Sequence, residues 1–190
     1  MNKVEPIRDN ELVHEIETRL ETLDTPRGRR MYIMFECGIY LGLRVSDLRR
    51  IRVGMVRGKD TFTIKEQKTG KTAQLPICDR LKRVLRERLK GMADDEYILP
   101  SRQGIEDGHK PAIDRKTAYN DINHIGTAVG IDFPVGCHTL RKTFGYHFYK
   151  QTGDIAFLMI WFNHSSAEVT KRYIGIDLDE RAKKIKRFVI

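Results

Sequence analysis

The stretch HTLRKTFGYHFYKQTGDIAFLMIWFNHSSAEVTKRY, residues 138–173, decides the fold and concentrates the chemistry of this chain. Ser165 is followed three residues later by a glutamate, which is the pattern of a helix capping box, so a helix is predicted from there through Tyr173. The apolar run at 155–162 predicts a buried helix that ends beside His164. The tyrosine is therefore expected at the far end of a helix, with a histidine at the end of the helix before it.

The beginning of the same stretch carries a histidine and an arginine three residues apart, His138 and Arg141. That spacing puts both side chains on one face of a helix. Together with His164 and Tyr173 they suit an anionic, phosphate-like target, because an arginine donates forked hydrogen bonds to phosphate oxygens. Each of these residues alone is more often a packing or surface group, so the set has to be weighed with the rest of the chain.

Length, charge and cysteine content narrow the class of protein. A chain of 190 residues is long enough to bury a core within one domain, and its net charge of +9 favours an anionic partner. The three cysteines lack the spacing of zinc ligands, so no metal is expected. The sequence has neither a run of about 18 apolar residues nor a signal-peptide core. We therefore expect a cytoplasmic protein that does not enter a membrane.

The hydrophobic pattern predicts a mainly α fold of the α+β class. Helices are expected at 9–23, 25–41, 46–51, 79–90, 115–129, 138–148, 155–162, 165–173 and in the tail at 177–190. The second of these is apolar nearly all round and should be the buried central helix, ended by Gly42. Ser46 is expected to cap the short helix after it. Residues 53–77 change to an alternating pattern and predict a small antiparallel sheet of three strands, with a turn at Gly70.

Several cationic and amide side chains outside the opening stretch are candidates for contact with phosphate. Arg44 follows the buried helix, and Lys68 and Lys71 lie on the predicted hairpin turn QKTGK. The helix predicted at 115–129 has a polar face suited to phosphates or base edges. Its residues are Arg115, Lys116, Asn120 and Asn123. The alternatives are an arginine paired with Asp47, solvated lysines and an ordinary wet helix face.

Four motifs resemble the catalytic domain of the tyrosine recombinase (phage integrase) family, in the family's order and over nearly the whole chain. They are GLRVSDL at 42–48, KTGK at 68–71, HTLRKTF at 138–144 and FNHSSAEVTKRY at 162–173. The resemblance implies a helical catalytic domain in which five side chains surround one DNA phosphate and a tyrosine is the nucleophile. The five are Arg44, Lys68, His138, Arg141 and His164, and the nucleophile is Tyr173. It also implies that neither a metal nor another cofactor takes part.

The chemistry of phosphodiester cleavage is consistent with the roles that the resemblance implies for these six residues. Arg44 and Arg141 would neutralise charge on the non-bridging oxygens, and His164 would donate a hydrogen bond to one of them. His138 is the candidate base for the phenol, and Lys68 is the candidate acid for the leaving 5′ oxygen. The product would be a 3′-phosphotyrosine, whose bond conserves the energy needed for rejoining. Asn163 stands where the family usually has glycine, but asparagine tolerates the left-handed conformation.

The resemblance predicts a site-specific recombinase or integrase, encoded by a bacterium or phage and associated with the nucleoid. Residues 1–190 are expected to form a single catalytic domain, with no separate DNA-clamping domain in this chain, which would be either a fragment of a longer integrase or a minimal integrase. Residues 177–190 could be a helix exchanged between subunits. The partner is expected to be double-stranded DNA, bound by a homo-oligomer that forms a tetrameric synapse, with a monomer possible in solution. Two alternatives stay open: a type IB topoisomerase-like relaxing enzyme, and a non-catalytic DNA-binding regulator that keeps the fold.

Overall fold

The fold is mainly helical, as predicted, and the computed structural model describes residues 4–105, 108 and 110–188. Four helices come first: α1 (Asn10–Glu21), α2 (Pro26–Leu41), α3 (Val45–Leu48) and α4 (Val53–Val56). A hairpin of β1 (Thr61–Lys65) and β2 (Thr72–Pro76) follows. The remaining helices are α5 (Asp79–Arg88), α6 (Arg115–Ala128), α7 (Thr139–Thr152), α8 (Ile155–Phe162), α9 (Ala167–Ile174) and α10 (Ile176–Lys186).

The sheet has two strands in the described residues, so the prediction of three strands was wrong in number. The strands are antiparallel, with Thr61 opposite Pro76 and Lys65 opposite Thr72. The segment expected to supply the third strand forms the helical turn α4 instead. Its two buried valines, Val53 and Val56, are three residues apart, which is the spacing of a helical face and not of a strand.

Helix α2 is the centre of the main core, as its composition predicted. Residues from Met31 to Leu41 are almost all buried, and α1, α5 and α7 pack around them. The approach of α7 is close at Gly38, where a Cβ atom would lie 2.6 Å from Leu140 Cβ. Gly42 ends α2 in the left-handed conformation at φ 59°, and this ending turns the chain toward Arg44.

A second, smaller apolar cluster joins α7, α8, α9 and α10. Its buried members are Tyr146, Leu158, Phe162, Ile174 and Ile176. Gly145 permits this packing, because a Cβ atom there would lie 2.6 Å from Ile174 Cγ2 and 2.7 Å from Phe162 Cε2. The cluster thus fixes α9, the helix that carries Tyr173, against the core side of α7.

Two predicted helix caps were wrong. Ser166, and not Ser165, caps α9, because Ser166 has the extended backbone of an N-cap and its hydroxyl accepts a hydrogen bond from the N–H of Val169. Helix α3 begins at Val45 and not after Ser46, because the carbonyl of Arg44 already accepts hydrogen bonds from the two residues that follow Ser46.

Helix α8 is less buried than its apolar sequence predicted. Leu158 and Phe162 are buried, but Ile160 is 82% exposed on the opposite side of α8.

The last two residues of the 177–190 tail lie outside the described residues. In the described part of the chain, no helix combines the length and the apolar character that crossing a membrane requires.

Candidate active site

Tyr173 lies in the last turn of α9, with its hydroxyl 3.2 Å from Nδ1 of His138. His138 occupies the position immediately before α7, so the contact joins the beginning of one helix to the end of another. The His164 ring lies on another side of the tyrosine, with the two centroids 5.0 Å apart. Lys142 places its ammonium 5.3 Å from the centroid of the Tyr173 ring. The tyrosine is therefore held in a fixed, cationic environment.

The environment of the site shifts the pKa of Tyr173 toward the protonated phenol and the pKa of His138 toward the neutral ring. Burial raises the pKa of the Tyr173 phenol, and the charges of Arg141 and Arg44 oppose this rise. Burial also lowers the pKa of His138, and the positive charges around it, first that of Arg141, lower it further. A neutral histidine with its ring nitrogen on a phenol can accept the proton that the phenol has to lose.

Arg141 is 2% exposed and connects the ends of two helices. Its Nη1 donates to the carbonyl of Gly42 at 2.7 Å, and its Nη2 donates to the carbonyl of Phe162 at 3.3 Å. The guanidinium carbon also lies 4.4 Å from the centroid of the Phe162 ring. Arg141 therefore fixes the end of α2 and the end of α8 beside the tyrosine.

Arg44, Lys68 and His138 line one cavity of about 430 Å³, together with Arg115 and Cys137. Arg44 comes from the break after α2, Lys68 from the hairpin loop and His138 from the start of α7. The Nη1 of Arg44 donates to Glu66 Oε2 at 3.0 Å. The expected alternative partner, Asp47, accepts instead from a backbone N–H of the hairpin loop.

His164 follows α8 and is held between α8 and α9. Its backbone N–H donates to the carbonyl of Met159 at 2.8 Å, and its Nδ1 is 3.1 Å from Thr170 Oγ1. Burial lowers the pKa of His164 most, and the positive charges of Arg141, Arg44 and Lys68 lower it further. Three cationic side chains therefore lie close enough to His164 to act on its charge.

The five predicted DNA contacts are distributed unevenly around this site. Arg115 lines the cavity, and Lys116 and Asn120 are exposed on the same helix. The amide of Asn123 donates to a carbonyl of its own helix, and the Lys71 ammonium donates to Asn163 Oδ1 at 2.6 Å. These five assignments stay predictions.

Two buried carboxylates belong to the site and were missed as site residues. Glu66 continues the alternation of Phe62 and Ile64, so the period of β1 predicts that it points inward. Asp47 follows Arg44 by one helical turn and is 0% exposed. Both positions could have been identified from the sequence pattern. The pattern does not show, however, with which group a buried carboxylate pairs.

Within the described ranges, no group of three or more His, Cys, Asp or Glu side chains is placed to hold a metal ion. The cations around the tyrosine are instead side chains. A phenol in contact with a histidine ring nitrogen, beside a cavity lined by arginine and lysine, has the groups that attack on a phosphate ester would require.

Comparison with known proteins assigns the chain to a family. The model of the phage integrase family matches residues 10–179. The probable integrase/recombinase YoeC of Bacillus subtilis is 40% identical over 179 residues, which cover 94% of this chain and 93% of YoeC. The chain belongs to the phage integrase family.

More distant relatives are longer and share the fold. The tyrosine recombinase XerD of Pseudomonas putida is 25% identical over 85% of this chain and 55% of its own length. The structure of the XerH site-specific recombinase, in a post-cleavage complex with its difH substrate, has a TM-score of 0.68 at 16% identity. It covers 90% of this chain and 49% of the XerH chain, so this chain spans about half of these two proteins.

Proposed function

We propose that this protein is a site-specific recombinase that cuts and rejoins DNA through a 3′-phosphotyrosine intermediate. The observation that carries the proposal is the 3.2 Å contact between the Tyr173 hydroxyl and Nδ1 of His138, beside the cavity lined by Arg44 and Lys68. Family membership and the name of YoeC favour a recombinase over a relaxing enzyme or a retired DNA-binding module.

The proposed cleavage step forms one bond and breaks one bond at a single phosphorus atom. The Tyr173 oxygen attacks the phosphorus while its proton passes to Nδ1 of His138. The bond between phosphorus and the 5′ oxygen breaks, and the leaving oxygen takes a proton from the Lys68 ammonium. Rejoining reverses these transfers with a 5′ hydroxyl from a second strand, so neither an external energy source nor a redox partner is required.

The arginines and His164 would act on the two non-bridging oxygens. Negative charge develops there in the transition state, and donors fixed beforehand stabilise it without reorganising. Arg141 is already immobilised by two carbonyls and Arg44 by Glu66. Arg141 and Arg44 also oppose the rise in the pKa of Tyr173, so both would stabilise a phenolate as it forms.

Double-stranded DNA is the proposed substrate, and the protein would act on it as a homo-oligomer. The net charge of +9 and the exposed residues of α6 beside the cavity suit a duplex backbone. Ile160, Ile185 and Phe188 are 70% exposed or more and offer apolar contacts between copies. Residues 177–190 would supply the exchanged segment. Sedimentation of the protein on duplexes with one or two sites would reveal the assembly.

Covalent capture tests the proposal. The probe is a pool of nicked duplexes with a randomised centre, in which cleavage releases a short strand and prevents rejoining. The wild-type protein is expected to form a DNA adduct that survives denaturing electrophoresis, and repeated selection would recover its site. Tyr173→Phe removes a single oxygen and should form no adduct while binding the recovered site equally well.

Each alternative outcome has a distinct meaning. An adduct that persists in Tyr173→Phe would remove this tyrosine as the nucleophile. Binding without any adduct from the wild-type protein would favour the non-catalytic regulator. Efficient relaxation of a supercoiled plasmid that lacks the recovered site would favour the topoisomerase-like enzyme.

A further inference from the structure

Glu66 is a buried carboxylate that contacts two parts of the site at once. It lies at the end of β1 and is 7% exposed. Its Oε2 accepts from Arg44 Nη1 at 3.0 Å and from Thr69 Oγ1 at 2.8 Å. One oxygen atom therefore connects the arginine after α2 to the hairpin loop that carries Lys68.

The backbone of the same residue closes that loop. The N–H of Glu66 donates to the carbonyl of Lys71 at 2.9 Å, and its carbonyl accepts from the N–H of Gly70 at 2.9 Å. The next residue, Gln67, donates its N–H to Asp47 Oδ1 at 2.8 Å, which attaches the loop to α3. Lys68 thus lies between Gln67, which is anchored directly to Asp47 of α3, and Thr69, which is anchored to the Glu66 carboxylate.

Charge gives a second reason for a carboxylate at this position. Two cavities lie beside Arg44: the one that Arg44 lines with Lys68, and a neighbouring one lined by Leu43 and His164. Among the described residues that line these two cavities, Glu66 is the single acidic side chain. Burial lowers the pKa of Arg141 most, the charge of Arg44 lowers it further, and the charge of Glu66 opposes this fall. Glu66 therefore offsets the repulsion that the two arginines would otherwise exert on each other before the phosphate arrives.

We propose that Glu66 is a positioning residue of the cleavage reaction, which orients the Arg44 guanidinium and, through Thr69, holds the loop that places Lys68. This proposal rests on the proposed function. Arginine has five N–H donors, and Glu66 occupies one of those of Arg44, so the others stay available to a phosphate. Glu66 does not touch the DNA in this scheme. It fixes the cation beside the non-bridging oxygens and the cation beside the leaving 5′ oxygen.

Single-turnover cleavage of the recovered nicked duplex tests the proposal. The variants are Glu66→Ala, Glu66→Gln and Thr69→Val, and the control is Glu87→Gln, which removes an equal charge from an exposed position on α5. Glu66→Ala should cleave about 10²-fold more slowly, as expected for a misplaced transition-state donor. Glu66→Gln should be intermediate, and Thr69→Val should be about tenfold slower, within the usual worth of a general acid. Duplex affinity should change little, and each rate is compared at the fraction of folded protein that thermal unfolding gives for that variant.

The discriminating substrate replaces the leaving 5′ oxygen by sulfur. A thiol has a pKa of about 8.5 and leaves as a thiolate without a general acid. Thr69→Val should therefore regain nearly the wild-type rate on this substrate, as Lys68→Ala should. Glu66→Ala should regain part of its rate, because its Arg44 is still misplaced, and Arg44→Ala should regain none. A purely structural role would not produce this pattern.

Three results would overturn the assignment while the proposed function survives through the wild-type adduct. The first is cleavage by both Glu66 variants at rates near that of Glu87→Gln. The second is an equal loss of rate on the oxygen and sulfur substrates by Thr69→Val and Glu66→Ala. The third is a loss of rate in Glu66→Gln that a parallel loss of folded protein accounts for in full. Failure of the wild-type protein to form any adduct would instead contradict the proposed function itself.

Discussion

At the scale of single residues, the two arginines of the site differ in what surrounds them. Arg141 is almost fully buried and satisfies two backbone carbonyls, so it supports the fold as well as the site. Arg44 lines the open cavity and is held by one carboxylate. Buried charges of this kind are expensive to leave unpaired, so the two positions should respond differently to the same truncation.

Truncation of these arginines to alanine should separate catalysis from stability. Arg44→Ala should cleave the nicked duplex about 10²–10³-fold more slowly and lose less stability than Arg141→Ala, because the Glu66 carboxylate that it leaves keeps the hydroxyl of Thr69 as a donor. Arg141→Ala should lose as much activity and also about 2 kcal/mol of stability, because two buried carbonyls lose their donor. Cleavage rates and urea unfolding measure the two effects. A loss in cleavage below tenfold for either variant would exclude that arginine from the site.

Glu36, which has no role in the proposed chemistry, has an environment that should make the stability of the protein depend on pH. It is 0% exposed within α2, and Arg80 approaches it at 3.5 Å. Burial, followed by the charge of Glu17, raises the pKa of Glu36 from 4.5 to about 7. The folded protein therefore binds more protons than the unfolded chain between these two values.

The sign of the resulting pH dependence follows from linkage. Because the folded state holds the extra proton, the contribution of Glu36 to the free energy of unfolding falls as the pH rises from 4.5 to about 7, and it is constant above. The fall is on the order of 3 kcal/mol. Glu36→Gln should gain stability relative to wild type across this window, as measured by urea unfolding at several pH values. The exposed control Glu87→Gln should show no such trend, and a flat difference for Glu36→Gln would contradict the pKa direction.

At the scale of elements, the site depends on how helices end. Helix α2 ends at a glycine and α8 ends at Asn163, both in the left-handed conformation. These two endings bring the carbonyls of Gly42 and Phe162 to the same guanidinium. Helix α9 then starts from the serine cap at Ser166 and delivers Tyr173. The catalytic geometry is thus a consequence of turns that stop helices at defined residues.

Substitution at the end of α8 tests this dependence. Asn163 has φ 54° and ψ 51°, a conformation that costs a residue with a Cβ about 1–2 kcal/mol unless it is asparagine or aspartate. Asn163→Ala should therefore destabilise the protein by about 1 kcal/mol, whereas Asn163→Gly should be close to neutral despite losing the contact with Lys71. Urea unfolding distinguishes the two. Asn120→Ala, on an exposed face of α6, is the control, and equal losses in Asn163→Ala and Asn163→Gly would mean that the side-chain contact dominates.

At the scale of the whole molecule, positive charge is spread over more than one face. Arg115 and Lys116 extend from the cavity along α6, whereas Arg83 and Arg86 are exposed on α5 around a different cavity. Under the proposed function, a duplex that places a phosphate at Tyr173 would contact the α6 side. The basic amphipathic pattern of residues 79–90 favours a solvated face there over a contact with DNA.

The salt dependence of duplex binding separates these two faces. Each phosphate contact contributes about 0.9 to the slope of log affinity against log salt. The double variant Arg115→Ala with Lys116→Ala should therefore lower the slope by nearly 2, and the matched pair Arg83→Ala with Arg86→Ala should leave it unchanged. Fluorescence anisotropy at several salt concentrations measures both. The reverse result would place the duplex on the α5 face.

The sequence by itself determined the elements and the chemical inventory of this protein. Asp9 and Asp114 stand directly before helices that their side chains cap, Pro26 starts α2 and Gly42 ends it, so local signals are sufficient for these boundaries. Periodicity identified the central helix. The four motifs shared with the tyrosine recombinase family contain the residues that line or border one site. Each motif carries its polar residue at a local turn or at a helix end.

Tertiary structure alone decided the partners of these residues. No local pattern shows that Arg141 reaches two carbonyls that lie 99 and 21 residues away along the chain, or that Arg44 pairs with Glu66 and not with Asp47. The half-exposed α8 has the same origin. A residue's propensity and period depend on its neighbours in the chain, whereas burial and the pairing of charge depend on which distant segments the packed core brings beside it.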